Sequence, residues 1–144
     1  MKYLVDANVL SDPTKPRPVG QVVDWLRRYE GELVVNPIIL GDLEFGILLL
    51  PASKRRTRLL DWCTNGVKHL RVLELDANTA SVWAKLLSTL RRKGCAMPIK
   101  DSLIAATARQ HGLTIATRNL ADYRYAGVKV VDPFVDRDEQ GKRR

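Results

Sequence analysis

One hundred and forty-four residues, 45% of them hydrophobic, suffice for one domain to bury a core without disulfide or metal staples and leave little room for a second. Twenty-four Lys and Arg against sixteen Asp and Glu give a net charge of +8, which favours a polyanionic partner, nucleic acid foremost, over a merely solvated basic surface. The opening Met-Lys-Tyr-Leu-Val meets Asp6 too soon for a signal-peptide hydrophobic region or a membrane span, so a cytoplasmic protein is expected.

Residues 3–5, rich in strand formers, predict a first strand, and Pro13, Pro16 and Pro18 predict an irregular loop after it. Val22, Val23, Trp25 and Leu26 recur at helical spacing within 19–29, and 33–35, ending at Asn36-Pro37, reads as the second strand. Residues 38–50 are apolar nearly all round, the pattern of a helix buried on every side, and Pro51 stops it. A helix over 55–64 turns Leu59, Leu60, Trp62 and Cys63 inward, with Arg55, Arg56 and Arg58 near its start; 70–73 is a third strand. An amphipathic helix over 78–93 ends in Arg91-Arg92-Lys93-Gly94, and another over 101–111 ends at His111-Gly112, both in the order that the helix dipole favours. Strands at 113–116 and 128–131 follow. Trp25, Trp62 and Trp83 fall on apolar helix faces, which suits packing better than base stacking. Cys63 and Cys95 lack metal-type spacing and read as reduced, packed thiols. Residues 136–144 hold no apolar anchor and predict a frayed, charged tail beyond a domain of 1–135. Strands alternating with helices give the α/β class, a three-layer α/β/α sandwich around a central, mostly parallel sheet.

Chemistry concentrates where apolar runs end. Asp6 closes the first strand, Asp42 lies in the all-apolar helix, Asp101 sits in the first turn of its helix, and Asn119 and Asp122 follow Ile-Ala-Thr-Arg. In open parallel sheets, ligands bind beyond the carboxyl ends of the strands, so Asp6, Asp101 and Asn119 can converge on one edge. Each has a simpler explanation: an Asx-turn for Asp6, an N-cap for Asp101, a cap for Asn119 and a solvated position for Asp122. Together they suggest a metal site. Two carboxylates about 4 Å apart repel by roughly 4 kcal/mol at an effective dielectric of 20, and a cation relieves that strain. An acid cluster without nearby His or Cys suits Mg²⁺ or Mn²⁺ and disfavours zinc. No Gly-x-Gly-x-x-Gly, no Gly-x-x-x-x-Gly-Lys-Ser/Thr and no Gly-x-Ser-x-Gly occurs, which removes the usual nucleotide cradles and the serine elbow. Among the cations, Lys100 and Arg118 are the best candidates for phosphate contact, because they neighbour the acids in sequence.

Leu-Val-Asp-Ala-Asn-Val-Leu-Ser, Leu-Glu-Phe-Gly-Ile-Leu, Lys-Asp-Ser-Leu-Ile-Ala-Ala-Thr-Ala-Arg-Gln-His-Gly-Leu and Ala-Thr-Arg-Asn-Leu-Ala-Asp-Tyr, in this order and spacing, resemble a PIN domain. More narrowly, the chain resembles the VapC toxins of type II toxin–antitoxin pairs, including the FitB-like branch, from about Lys2 to Phe134. The resemblance implies a Mg²⁺- or Mn²⁺-dependent endoribonuclease that is inhibited by a small VapB-like antitoxin and forms homodimers. It carries the metal-binding role to Asp6 and Asp101. The second acid of the family is usually Glu in Gly-Glu-Leu, whereas this chain has Asp42 in Gly-Asp-Leu. Glu44 is the nearby alternative, but two residues along a helix turn it by about 200° from Asp42. The fourth position, often Asp, is Asn119 here, with Asp122 as a possible supplement.

The sequence therefore reads as a single-domain ribonuclease with Asp6, Asp42, Asp101, Asn119 and Asp122 at its site. Two alternatives stand beside it. One is a catalytically weak RNA-binding module of the same fold, impaired by Asp42. The other is a metal-dependent phosphatase with Asp6 as nucleophile, against which the lack of an Asp at position 8 counts.

Overall fold

In the computed structural model, which describes residues 1–135, the centre of the fold is a run of three residues. Tyr3–Val5 (β1) is buried along its whole length, and it pairs in parallel with Leu33–Val35 (β2) on one side and Thr114–Ala116 (β4) on the other. Arg71–Val72 (β3) and Val130–Val131 (β5) complete a five-stranded parallel sheet in the order β3-β2-β1-β4-β5. Strands covered on both faces need apolar side chains throughout, which is why the fully buried β1 and β2 read as continuous hydrophobic runs, whereas the edge strand β3 exposes Arg71. The chain builds outward from β1 to β3 and then returns to build β4 and β5 on the other side. The carboxyl ends of β1 and β4 thus form the topological switch point, where the connections diverge and leave a crevice.

Helices Ala7–Leu10 (α1), Gly20–Arg28 (α2), Pro37–Leu48 (α3), Lys54–Asp61 (α4), Ala77–Arg92 (α5) and Ile99–His111 (α6) cover the sheet. The predicted elements are all present, with ends shifted by at most three residues. The proline-rich loop is more ordered than expected: α1 and a 3₁₀ turn at Asp12–Thr14 precede the remaining prolines. Buried Asp12 anchors that loop by accepting from the Val19 N–H at 2.8 Å. The predicted helix over 55–64 divides into α4 and a π-helical turn, Trp62–Gly66. Gly112 (φ 64°) ends α6 in the left-handed conformation that a glycine adopts without strain. Both cysteines are free thiols. Among the described residues no helix is long and apolar enough to cross a membrane; the predicted tail, 136–144, lies outside the described residues.

One expectation fails. The helix expected to be buried on every side is not: Ile39, Leu43 and Ile47 of α3 enter the core, but Phe45 is 59% exposed and the adjoining Leu49 69%. Apolar residues on all faces satisfy the pattern of a buried helix without any neighbour having to cover them. Within this chain α3 packs on α1, α4, α6 and the turn Trp62–Gly66, and its outer face remains open.

Two polar devices fix helix starts, one of them on the helix that carries Asp42. Asn36, fully buried, caps α3 by accepting the Ile39 N–H at 2.9 Å and donates through Nδ2 to Thr107 Oγ1 of α6 at 3.0 Å. One side chain thus sets the start of α3 and its position against α6. In α5, Asp76 and Thr79 form a capping box. Asn36→Ala removes both bonds of a buried side chain and is expected to cost about 2 kcal/mol. Thermal denaturation should show a drop of several degrees, and an unchanged melting temperature would refute this role.

Candidate metal and nucleic-acid site

Asp6 follows β1 directly and caps α1, its Oδ1 accepting the Ala7 N–H at 2.9 Å. Its backbone N–H donates to Ala116 O at 2.9 Å, which extends the β1–β4 pairing to the edge of the crevice. Thr117, fully buried just past β4, donates from Oγ1 to Asp6 Oδ2 at 2.9 Å. Asn8 bridges the same two loops: Nδ2 donates to Thr117 Oγ1 at 3.2 Å and more distantly to Asp6 Oδ2 at 3.5 Å, while Oδ1 accepts the Arg118 N–H at 3.0 Å. Parallel pairing of β1 with β4 therefore brings together residues more than a hundred positions apart in sequence.

Asp101 approaches from the first turn of α6. It is not the N-cap, since Pro98 holds that position, and it is buried. The next residue fixes this turn: Ser102 Oγ donates to Ile99 O at 2.6 Å and accepts Trp83 Nε1–H at 2.9 Å. Between the two acids lies Tyr123, 2% exposed, with its hydroxyl 3.4 Å from Asp6 Oδ2 and 3.3 Å from Asp101 Oδ1. A phenol carries a single donor proton. Two carboxylates thus compete for one hydrogen.

Burial raises both carboxyl groups above the ordinary Asp value, against hydrogen bonds from Thr117 and Ala7 at Asp6 and the pull of Lys100 at both. The acids also raise each other: Asp42 acts on Asp6, and Asp122 and Asp6 act on Asp101. Burial, followed by the charges of Asp6 and Asp101, pushes the Tyr123 hydroxyl above its ordinary value, so it remains protonated. Negative charge at this edge exceeds what the surrounding donors offset.

Asp42 reaches the same edge from α3 and pairs with Lys100 of α6, Oδ2 to Nζ at 3.2 Å. Burial lowers the Lys100 pKa, but Asp42, Asp101 and Asp6 outweigh it and the ammonium ends above the ordinary lysine value. Glu44 faces elsewhere, exposed beside Leu40, Cys63 and Thr64. The helical rotation inferred from sequence thus separates the two acids as expected. Asn119 is exposed; its backbone N–H donates to Thr117 Oγ1 at 3.1 Å, and its side chain makes no capping bond. Asp122 is exposed as well and acts on Asp101 through charge.

Among the described residues no group of three or more His, Cys, Asp or Glu side chains is gathered as a ready metal cage. What is assembled is a pair, Asp6 and Asp101, with Asp42 and Asp122 close enough to act on it electrostatically. The donor set fits a hard cation: all-oxygen, anionic and short of protons, with Lys100 as the nearest positive charge. Magnesium-type ions keep several waters and take one or two carboxylates, so a pair meets the requirement. Thr117, Asn8 and Tyr123 were not singled out from sequence. All three stand inside the motifs quoted above, Tyr123 as the last residue of Ala-Thr-Arg-Asn-Leu-Ala-Asp-Tyr, but nothing local shows that they meet.

Beside the acids, an open cavity of about 390 Å³ runs between α1, α3 and α4, lined by Asn8, Asp42, Phe45, Leu49, Arg55 and Trp62 among others. Its walls are chiefly apolar, with Lys15 and Arg55 contributing cations.

Residues 3–128 match the PIN domain family. The chain is 34% identical to Toxin FitB of Neisseria gonorrhoeae over 92% of its own length and 99% of that protein. It is 31% identical to VapC ribonuclease Y4jK of Sinorhizobium fredii, over 91% and 96% respectively. The crystal structure of FitAcB from Neisseria gonorrhoeae superposes with a TM-score of 0.85 at 32% identity, covering 92% of this chain and 98% of that one.

The uncompensated charge has a measurable consequence. A group whose folded pKa is raised contributes stability that is complete below its unfolded pKa and lost as pH rises through the folded value. The ionised Asp101 therefore destabilises the metal-free fold near neutrality. In chelator at pH 7, Asp101→Asn should raise the melting temperature by about 2–5 °C, and the gap to the wild-type protein should close as pH falls through the raised carboxyl range. A lower melting temperature for the variant at pH 7 would overturn this account.

Proposed function

The chain belongs to the PIN-domain family, and on that premise we propose that it is the toxin of a toxin–antitoxin pair, a Mg²⁺- or Mn²⁺-dependent endoribonuclease. The observation that carries the reading is the meeting of Asp6 and Asp101 at the β1–β4 switch point, two buried carboxylates sharing one phenolic proton. The similarity to a toxin and to a ribonuclease over nearly the whole chain supports the activity. The net charge of +8 suits an RNA substrate.

Asp6 and Asp101 would hold the cation through their carboxylate oxygens. When bound, it would supply Lewis acidity toward a phosphodiester and lower the pKa of a water nucleophile. Asp42, half-buried and paired with Lys100, would accept a proton from that water. Lys100, itself exposed, offers positive charge to the phosphate, as does Arg118, whose guanidinium stacks over Phe134 at 4.6 Å. Asn8 and Thr117 keep Asp6 oriented. Single-stranded or looped RNA fits best, because flexible backbone can bend into a crevice.

The phosphatase reading requires Asp6 to attack phosphorus. Both of its oxygens are engaged, Oδ1 by Ala7 and Oδ2 by Thr117 and Tyr123, and the side chain is buried; these contacts suit a ligand better than a nucleophile. The weak-module reading required Asp42 to be a poor substitute. Its placement beside Lys100 and Asp6 supports a working role instead. The partner in this proposal is a small VapB-like antitoxin, with self-association into a homodimer.

Initial rates of RNA cleavage at saturating Mn²⁺ test the assignments. Asp101→Asn should abolish cleavage. Asp42→Ala should cut it at least about a hundredfold, in the range of a lost general base, Asp42→Glu should preserve it, and Glu44→Ala should change it little. Full activity in Asp101→Asn, or greater loss in Glu44→Ala than in Asp42→Ala, would reject the scheme.

A further inference from the structure

Tyr123 has no part in the reaction proposed above, yet it touches both acids that the cation would need. It ends the 3₁₀ turn Leu120–Tyr123, is among the largest fully buried side chains, and its carbonyl accepts the Ala126 N–H at 3.1 Å. The ring therefore has little freedom to leave. Its hydroxyl faces Asp6 Oδ2 at 3.4 Å and Asp101 Oδ1 at 3.3 Å, both longer than an ordinary O–H···O hydrogen bond, and its one proton can point at only one of them at a time. A cation joining Asp6 to Asp101 would draw on the same carboxylate electron density as this proton.

We propose that Tyr123 is a positioning residue that ties Asp6 to Asp101 in the metal-free protein and surrenders at least one of those hydrogen bonds when a divalent cation loads, so that it tunes the affinity of the site without serving as a ligand. The proposal rests on the metal-dependent reading of the same acids. Two consequences follow from the bonding. The empty site is held together by a donor that the loaded site no longer needs, so the hydroxyl opposes loading. The phenol also changes its hydrogen bonding on loading, which perturbs its near-ultraviolet absorption.

Tyr123→Phe removes only the hydroxyl and keeps the buried ring. Calorimetric titration of Mn²⁺ into the full chain without RNA, for the wild type, Tyr123→Phe and Asp101→Asn, reads the affinity directly. Tyr123→Phe should bind Mn²⁺ about tenfold more tightly, the equivalent of ~1.4 kcal/mol. The wild type should show a tyrosine difference band that saturates with the calorimetric midpoint and is missing from Tyr123→Phe. A packing role alone would move neither readout. Unchanged or weaker binding in Tyr123→Phe, with binding lost in Asp101→Asn, overturns the role of Tyr123 and leaves the metal reading in place. No Mn²⁺ binding by the wild type, or undiminished binding in Asp101→Asn, overturns both. Should Tyr123→Phe not fold, a wild-type protein that binds Mn²⁺ with no tyrosine difference band overturns the proposal by itself.

Discussion

Asp6 and Asp101 are buried with too few protons between them, and much of the structure around the crevice is arranged about that shortage. A carboxylate removed from water loses solvation that only donors or cations can replace. Asp6 receives a backbone amide, the Thr117 hydroxyl and part of a phenol; Asp101 receives the remainder of that phenol and the distant pull of Lys100. These contacts hold the acids in place without neutralising them. A fold selected only for stability would have little reason to keep two such groups at the end of its central strands, which is why their presence bears on function.

Parallel pairing makes the arrangement possible. β1 and β4 are neighbours although the segments between them include three helices longer than ten residues. Their common direction puts Asp6 and Thr117 at one end of the sheet, and α6, which feeds β4, starts above that same end and delivers Asp101. Asn36 couples α3 to α6, so Asp42 and Lys100 meet across two helices whose relative position is set by one buried amide. The site depends on the sheet order more than on any one loop.

The open face of α3 adds a second theme. Phe45, Leu48 and Leu49 are exposed, and part of this apolar surface borders the cavity that also reaches Asn8 and Asp42. Exposed apolar residues in a row are costly for a protein that works alone. Their position beside the acids means that whatever covers them also bears on access to the crevice.

The sequence by itself determined the α/β class and the order of elements and marked Asp6, Asp42 and Asp101 as candidates, because apolar runs, proline stops and charged residues at their ends are local signals. It also separated Asp42 from Glu44, since helical rotation is a local rule. It misjudged α3, because an apolar pattern records what a helix can bury and not whether a neighbour exists to bury it. Only the tertiary structure decided that Thr117, Asn8 and Tyr123 would converge on Asp6, that Lys100 would pair with Asp42, and that Asn119 would meet this group through its backbone. Those contacts span up to 117 positions, and long-range pairing of strands, which no local pattern encodes, is what brings them within hydrogen-bonding distance.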